Sequence, residues 1–205
     1  MELLLATRNP HKTREFRELL GAESNVLDLT SFPEITFAKE TGRTFQENAI
    51  LKAVNASQYR QLRNLLVVAD DSGLEVDALN GAPGILSARY AGENANDKDN
   101  VAKLLRELRA RNVPAEKQSA RFRCVIALAR DGKVLGTFER VIEGKIVDPP
   151  RGSGGFGYDP VFQPIGFERT FAEMASDLKN KISHRGKVIT ALREALRNSF
   201  GSGND

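Results

Sequence analysis

The sequence carries an adjacent pair of carboxylates, Asp70 and Asp71, directly after the apolar run at residues 65–69. In α/β proteins, ligands bind at the carboxyl ends of strands, so a site is expected at this position. Mg²⁺ is typically held by one or two carboxylates with water and substrate phosphates, and a carboxylate beside it can accept a proton from attacking water. Because Asp-Asp-Ser-Gly is also ordinary turn chemistry, the pair alone leaves a metal site and a polar turn equally open.

Two further segments carry residue types that suit phosphate. Residues 7–12 join an apolar strand to a helix start, where free backbone amides and the positive end of the helix dipole favour an anion. Lys52 follows Asn48 by four residues, so both fall on one helix face, and Glu40 precedes that helix. Each segment also has a plainer interpretation. The first can be a capped helix with an exposed lysine, and the second can be a solvated helix face.

A glycine-rich loop at residues 151–160 matches the G-x-G-x-x-G pattern literally. The prolines at its end exclude the helix that a dinucleotide site requires, so that interpretation is rejected. The loop can instead bring Phe156 to stack on a base and Asp159 to hydrogen-bond the edge of the base. Residues 176–185 add basic side chains and His184, which suit phosphate or carbonyl oxygens. A generic basic helix start is the alternative for that segment.

Composition narrows the functional classes. The chain has 205 residues, of which 40% are hydrophobic and 28% charged, and this is ordinary for a globular protein. No apolar run is long enough to span a bilayer, and no basic segment precedes an apolar N-terminal stretch, so we expect neither a membrane span nor a secretory signal. Cys124 is the only cysteine, which fits a reducing cytoplasm and a small buried side chain. The net charge of +3 is not gathered in one block, which makes a nucleic-acid binder the weakest hypothesis.

The elements that must position these residues alternate between helices and strands, with a long hairpin in the middle of the chain. Asn9 is predicted to cap a helix that ends at Gly21, and a capping box at residues 44–47 opens the next helix. Asp131 and Gly132 are typical of a hairpin turn. The predicted strands cover residues 2–6, 25–29, 65–69, 121–130 and 134–142. The predicted helices cover residues 10–20, 45–61, 97–111 and 188–196. This mixture predicts an α/β architecture with a mixed sheet.

Taken in order, these segments closely resemble the inosine triphosphate pyrophosphatase family, the XTP/dITP pyrophosphatases that remove non-canonical purine nucleotides. The resemblance runs from residue 3 to about residue 196, and the conjunction of motifs is specific although each motif alone is weak. The matching stretches are Thr7-x-Asn9-x-x-Lys12, Glu40-Thr41-Gly42, Phe45-x-Glu47-Asn48-Ala49-x-x-Lys52-Ala53, Ala69-Asp70-Asp71-Ser72-Gly73-Leu74, Gly81-Ala82-Pro83-Gly84-Ile85-x-Ser87-Ala88-Arg89-Tyr90, Gly155-Phe156-Gly157-Tyr158-Asp159-Pro160 and Lys179-x-x-Ile182-Ser183-His184-Arg185.

The resemblance implies an α/β fold with an elongated, mixed, twisted β-sheet flanked by helices, and two lobes with an active-site cleft between them. We expect a single domain over residues 1–200, a disordered tail at residues 201–205, and a cytoplasmic homodimer. The implied activity is Mg²⁺-dependent hydrolysis of ITP, dITP and XTP to the monophosphate and pyrophosphate, with Mn²⁺ as an alternative metal. No nucleic-acid or membrane partner is expected. A Maf-like pyrophosphatase of other modified or canonical nucleotides is the alternative.

The resemblance also implies residue roles. Asp71 would accept a proton from water, Glu40 and Asp71 would hold Mg²⁺, and Asp70 would support the metal or its waters. The residues expected to hold the polyphosphate are Thr7, Arg8, Asn9, Pro10, His11, Lys12 and Lys52, and Ser72 would touch the substrate. The expected base and sugar pocket consists of Phe156, Gly157, Tyr158, Asp159, Lys179, His184 and Arg185. Donors aimed at a 6-oxo group would be left unpaired by adenine, which explains a preference for inosine and xanthine.

Overall fold

The computed structural model describes residues 2–36 and 38–200, and the tail expected at residues 201–205 lies outside the described residues. The strands are β1 Glu2–Leu5, β2 Asn25–Asp28, β3 Leu66–Val76, β4 Ser119–Arg130, β5 Lys133–Ile146 and β6 Phe162–Pro164. The α-helices are α1 Pro10–Leu20, α2 Phe45–Ser57, α3 Asp97–Ala110, α4 Ser176–Ile182 and α5 His184–Phe200. The early alternation of strands and helices and the central hairpin are therefore confirmed.

In the described part of the chain, the six strands form one sheet in the order β2-β1-β3-β4-β5-β6. Strand β1 runs parallel to both of its neighbours, with Leu3 opposite Val26 on one side and Leu66 on the other. Strands β5 and β6 are antiparallel. Asp131 and Gly132 join β4 to β5 with φ values of 49° and 76°, the left-handed conformation that a tight hairpin turn requires. The predicted mixed α/β sheet is confirmed.

The described residues divide into two compact units. The first unit contains the chain up to Asp71, Cys124–Arg140 and the chain from Arg185, and the second contains Ser72–Arg123 and Val141–His184. The single domain over residues 1–200 and the cleft between two lobes stay predictions.

The first unit has an apolar core built from strand residues and from single faces of α1 and α5. Its buried members are Leu3, Leu5, Phe16, Leu20, Val26, Leu66, Val68, Cys124, Ile126, Leu128, Val188, Ile189, Leu192 and Leu196. Phe16 and Leu20 lie one turn apart on α1, and Val188, Leu192 and Leu196 repeat every four residues on α5, as a helix that buries one stripe requires. Burial raises the pKa of the Cys124 thiol to about 12, so this side chain is the inert apolar one that was expected.

The second unit has its own core, in which α3 packs its apolar face against strand and loop residues. Its buried members are Leu74, Val76, Leu79, Val101, Leu104, Leu105, Leu108, Ala120, Phe122, Ile146, Tyr158, Val161, Phe162, Phe171 and Met174. Asn96 caps α3 and accepts a hydrogen bond from the Asp99 amide, while Asp99 accepts one from the Asn96 amide. This reciprocal capping box fixes the start of the helix.

Strand β3 differs from the prediction in a way that matters for the site. The structure continues it without a break from Leu66 to Val76, so Asp70 and Asp71 lie inside a strand and not after its end. The polar-turn interpretation is therefore wrong. The strand can continue because cationic side chains neutralise both carboxylates and because Leu74 begins the core of the second unit. Strand β1 ends at Leu5, so the carboxylates lie just beyond the end of its pairing with β3.

The start of α2 is also more irregular than predicted. Thr44 Oγ1 accepts a hydrogen bond from the Glu47 amide, as a capping box requires. The Glu47 carboxylate, however, accepts from the amide of Arg43 at 2.6 Å and does not close the box on Thr44. The helix ends at Ser57, and a short 3₁₀ turn over Arg60–Leu62 replaces its predicted last turn. No helix within residues 2–36 and 38–200 is long and apolar enough to cross a membrane.

Candidate active site

The loop before α1 is a tightly bonded helix start in the first unit. Asn9 Oδ1 accepts hydrogen bonds from the amides of His11 and Lys12 at 2.9 and 3.4 Å, and Pro10 occupies the first helical position. Thr7 Oγ1 accepts from the Asn9 amide at 3.1 Å. The predicted cap is confirmed, but Asn9 engages two of the amides that the sequence offered to phosphate. The predicted phosphate binding at this loop would therefore depend more on Lys12 than on the helix terminus, and it stays a prediction.

Arg8 turns toward the segment that follows β2. Its guanidinium donates hydrogen bonds to the backbone carbonyls of Leu29, Pro33 and Ile35 at 3.2, 3.1 and 2.9 Å. His11 Nδ1 lies 3.3 Å from the guanidinium of Arg14 on the exposed side of α1. Through these contacts Arg8 stabilises the segment that follows β2. Contacts of Arg8 and His11 with phosphate stay predictions.

Asp70 lies in a buried network of ion pairs in the first unit, hereafter the Asp70 cluster. Lys12 Nζ lies 3.0 Å from Asp70 Oδ1, and the Arg185 guanidinium lies 3.3 Å from Asp70 Oδ2. Arg185 also pairs with Glu15 at 2.7 Å. Asp70 is only 3% exposed and Arg185 only 4%, so each charge depends on its partners for compensation. The family resemblance implied a place for Arg185 in a base pocket, and in the structure its guanidinium lies against Asp70 and Glu15.

Asp71 lies in a second network of the first unit, hereafter the Asp71 cluster. Lys52 Nζ lies 2.7 Å from Asp71 Oδ1 and 3.0 Å from Glu40 Oε1. Asn48 Nδ2 donates to Asp71 Oδ2 at 3.3 Å. Since Asn48 and Lys52 are one turn apart on α2, both reach the same carboxylate, which confirms the predicted shared face. The structure thus brings Glu40, Lys52 and Asp71 together as the sequence suggested.

The Glu40-Thr41-Gly42 segment is held by a close approach to α2. The Gly42 amide donates to Asn48 Oδ1 at 2.9 Å. A Cβ at Gly42 would lie 2.6 Å from that same oxygen and 2.7 Å from the Cβ of Glu47, so a larger residue would push the segment away. Glycine at position 42 therefore allows the close packing of this segment, two residues after Glu40, against the start of α2.

The two clusters move the pKa values of the adjacent aspartates in opposite directions. Burial alone would raise the pKa of Asp70, but Lys12, Arg185 and Lys52 outweigh it and hold that pKa well below the usual range. Burial also acts on Asp71, and there Lys52 and Lys12 do not fully offset it, so the pKa of Asp71 is raised. Neighbouring carboxylates with separated pKa values are a common basis for different roles in acid–base chemistry. Asp70 therefore has the lower pKa of the two aspartates and Asp71 the higher.

The donor set of the Asp71 cluster fits Mg²⁺. Among the residues that the structure describes, no three side chains of His, Cys, Asp or Glu converge as a cage for a metal ion. Mg²⁺ seldom uses such a cage, because it binds through one or two carboxylates and completes its octahedron with waters and substrate phosphates. Glu40 and Asp71 supply two hard oxygen donors that already share one cation, Lys52.

A third group lies in the second unit and is hereafter the loop cluster. Asp159 Oδ2 accepts hydrogen bonds from the Phe156 amide at 2.9 Å and from Lys179 Nζ at 2.7 Å. Lys179 Nζ also lies 5.1 Å from the centre of the Phe156 ring. Asp159 and Lys179 are both buried. The glycine-rich loop and the α4 lysine, which the sequence assigned to one pocket, do therefore meet.

The remaining residues of the predicted base pocket have contacts of their own. Tyr158 is buried and its hydroxyl donates to the backbone carbonyl of Ser87 at 2.9 Å. The His184 ring stacks on Phe122 with centres 4.8 Å apart. Ser72 follows Asp71 along β3 and is half-buried. Substrate contacts by these residues stay predictions.

Two residues that sequence reasoning missed have direct contacts in these groups. Glu15 pairs with Arg185, and Asp97 Oδ2 accepts a hydrogen bond from the Gly157 amide at 2.6 Å. The partners of Glu15 and Asp97 are 170 and 60 residues away along the chain, so no local pattern could identify them.

Comparisons with known proteins agree over nearly the whole chain. A sequence model described as the Ham1 family matches residues 3–195. A dITP/XTP pyrophosphatase from Geobacillus kaustophilus is 50% identical over 201 residues, covering 98% of this chain and 96% of that protein. Its counterpart from Bacillus subtilis is 46% identical over 198 residues, covering 95% and 96%. The structure of a HAM1 protein from Coxiella burnetii matches with a TM-score of 0.85 and 42% identity, covering 97% of this chain and 100% of that chain.

Proposed function

The chain belongs to the Ham1 family, and from this premise we propose that it hydrolyses non-canonical purine nucleoside triphosphates, ITP, dITP and XTP, to the monophosphate and pyrophosphate. Such a reaction would remove these nucleotides before they enter DNA or RNA. The observation that carries the proposal is the Asp71 cluster, in which Glu40 and Asp71 share the ammonium group of Lys52. The names of the relatives, dITP/XTP pyrophosphatase, support the same substrate class.

The polyphosphate is proposed to bind the first unit. Lys12 and Lys52 supply mobile positive charge, and the loop before α1 supplies Thr7, Arg8, Asn9, Pro10 and His11. Glu40 and Asp71 would hold Mg²⁺, or Mn²⁺ in its place, and Asp70 would orient Lys12 beside them. When bound, the ion would polarise a phosphoryl oxygen and neutralise charge that develops on the leaving pyrophosphate.

Asp71 is proposed to accept the proton of the attacking water. The water oxygen bonds to phosphorus, the bridging bond between the α and β phosphates breaks, and the proton moves to an Asp71 carboxylate oxygen. Lys52 at 2.7 Å fixes the orientation of the Asp71 carboxylate, and this fixed position supports the role. Asn48 holds the second oxygen at 3.3 Å. The lysines stabilise the transition state mainly by position and charge.

The base is proposed to be recognised by the second unit. The Phe156 ring offers a stacking surface, and Lys179 offers a donor suited to a 6-oxo group. Adenine carries an amino group there, which cannot accept a hydrogen bond from Lys179, and this mismatch supports selection against ATP. The further proposed contacts to the substrate are Ser72, Gly157, Tyr158, Asp159, His184 and Arg185.

Location and assembly complete the proposal. The only cysteine is buried and reduced, which supports a reducing compartment, and we assign the protein to the cytoplasm. We assign it a homodimeric state, which light scattering after gel filtration would test directly. The substrate is a free nucleotide, with neither nucleic acid nor membrane as a partner.

Product analysis tests the proposal. The chain is incubated with ITP and Mg²⁺, and pyrophosphate and orthophosphate are assayed separately, with an EDTA-treated sample as the metal-free control. The expected result is one pyrophosphate for each IMP formed and loss of activity in EDTA. Release of orthophosphate alone would overturn the proposal. Pyrimidine triphosphates in the same assay distinguish the Maf-like alternative, which requires turnover of those substrates.

A further inference from the structure

The loop cluster is anchored from outside by a residue that belongs to neither the glycine-rich loop nor α4. Asp97 is the first residue of α3, and its Oδ2 atom accepts a hydrogen bond from the Gly157 amide at 2.6 Å. The carboxylate acceptor strengthens this hydrogen bond, and its exposure to solvent moderates that gain. The contact joins the start of a fourteen-residue helix to the loop that carries Phe156 and Asp159.

Two glycines on either side of Phe156 give this part of the loop a backbone conformation that depends on hydrogen bonds to hold it. Gly155 and Gly157 adopt φ values of 72° and 63°, a conformation that glycine enters readily and also leaves readily. From inside, Asp159 holds the Phe156 amide at 2.9 Å. From outside, Asp97 holds the next amide along the chain, that of Gly157. The two carboxylates therefore fix consecutive peptide groups on either side of the Phe156 ring.

We propose that Asp97 is a positioning residue for base recognition, which sets the place of Phe156 and Asp159 through the backbone of Gly157. This inference rests on the proposed function, because it assumes that the loop cluster reads the purine. Asp97 would not touch the substrate. Its loss would let the Gly157 peptide rotate, so the Phe156 ring and the Asp159–Lys179 pair would be less well placed for a base. The phosphate-binding residues of the first unit would be unaffected.

The chain offers a matched control within the same helix turn. Asp97 and Asp99 both lie in the first turn of α3, where a negative charge favours the helix dipole. Asp99 accepts from the Asn96 amide in the capping box and Asp97 accepts from Gly157. Asp99→Ala therefore removes the same charge and weakens the same helix without releasing the loop. Asp97→Asn keeps an oxygen acceptor at the right place and serves as the conservative variant.

Binding of two probes to the full chain tests the proposal. IMP carries a base and pyrophosphate does not, so calorimetry with each, in the presence of Mg²⁺, separates base recognition from phosphate binding. For Asp97→Ala we expect IMP to bind roughly five- to tenfold more weakly, as the loss of one solvent-exposed hydrogen bond implies, and pyrophosphate to bind as it does to the wild type. KM for ITP should rise in parallel while kcat stays within about twofold. Asp97→Asn should restore most of the IMP affinity.

Asp99→Ala and the wild type serve as the controls for this experiment. Asp99→Ala should bind both probes as the wild type does, even though its thermal midpoint falls. Unchanged IMP binding by Asp97→Ala, or an equal loss for pyrophosphate, would overturn the role of Asp97. An equal loss of IMP affinity in Asp99→Ala would also overturn it, since helix stability would then be the cause. Failure of the wild type to release pyrophosphate from ITP would instead contradict the proposed function.

Discussion

The ammonium nitrogen of Lys52 lies 2.7 Å from Oδ1 of Asp71, and each side chain is only 10% exposed. The same nitrogen lies 3.0 Å from Glu40 Oε1, so one cation pairs with two carboxylates. Asp70, the neighbour of Asp71 on β3, has separate partners in Lys12 and Arg185. This division explains how two adjacent carboxylates stay inside a buried strand and how they acquire different chemistry.

Replacing Asp71 with Asn tests its role as proton acceptor. The amide keeps the shape of the carboxylate and an oxygen facing Lys52, but it cannot accept the proton. We expect kcat for ITP to fall by roughly 10²–10⁴-fold, the usual contribution of a general base, while the circular dichroism spectrum is unchanged. Asp131→Asn is the matched control, because Asn-Gly suits the β4–β5 turn as well as Asp-Gly does. A kcat for Asp71→Asn near that of the control would contradict the assignment.

Replacing Lys52 with Met tests whether this lysine and a divalent ion neutralise the same carboxylates. The change leaves Glu40 and Asp71 together with less compensating charge, so we expect the free energy of unfolding to fall by up to about 3 kcal/mol. Because Mg²⁺ would restore that charge, it should raise the thermal midpoint of Lys52→Met more than that of the wild type. Lys133→Met, at an exposed position of β5, controls for the loss of one positive charge. An equal effect of Mg²⁺ on all three proteins would count against Glu40 and Asp71 as its ligands.

Replacing Arg185 with Met tests the Asp70 cluster. Asp70 and Glu15 would lose a buried partner, and we expect the free energy of unfolding in urea to fall by about 3–5 kcal/mol. Adding Glu15→Gln to the same protein should recover part of the loss, because one of the two uncompensated charges is removed. A loss below about 1 kcal/mol, in the range of exposed ion pairs, would show that Arg185 does not hold Asp70 in solution.

The stability contributed by Asp28 should depend on pH. Burial alone would raise the pKa of Asp28, but hydrogen bonds from Thr30 and Thr13 and the charge of Arg17 hold that pKa below its usual range. A carboxyl with a lowered pKa in the folded state stabilises the protein above its unfolded pKa of about 3.9. That contribution is lost as the pH falls through the folded pKa. The difference in unfolding free energy between the wild type and Asp28→Asn should therefore be larger at pH 6 than at pH 3. A difference that is the same at both pH values, or larger at pH 3, would contradict this.

Local rules were sufficient for much of the fold. Asn9, Pro10 and Gly21 delimit α1 because capping and backbone conformation depend on near neighbours alone. Asp131 and Gly132 fix the hairpin for the same reason. The capping box of α2 failed in part because the Glu47 side chain reaches one residue further back, a choice that the sequence pattern does not determine.

The candidate site was harder to predict, because its side chains come from positions far apart along the chain. Strand β3 was expected to stop before Asp70, because the apolar run ends at Ala69 and Asp-Asp-Ser-Gly is typical of a turn. The residues that make this acceptable include Lys12 and Arg185, and Arg185 is 115 positions from Asp70 along the chain. The contact of Asp97 with Gly157 likewise exists only in the folded chain, so the sequence does not reveal it. The residues left the grouping of Glu40 with Asp71 open as one of two interpretations, and the grouping of Lys179 with Asp159 drew on family resemblance.

The comparison of ITP with ATP tests the central claim most directly. The claim is that a site with a metal-binding carboxylate pair cleaves triphosphates and that a buried lysine favours a 6-oxo purine. Measured under identical Mg²⁺ conditions with pyrophosphate as the product, kcat/KM for ITP should exceed that for ATP by at least about 100-fold. Equal values of kcat/KM for the two nucleotides would contradict the account.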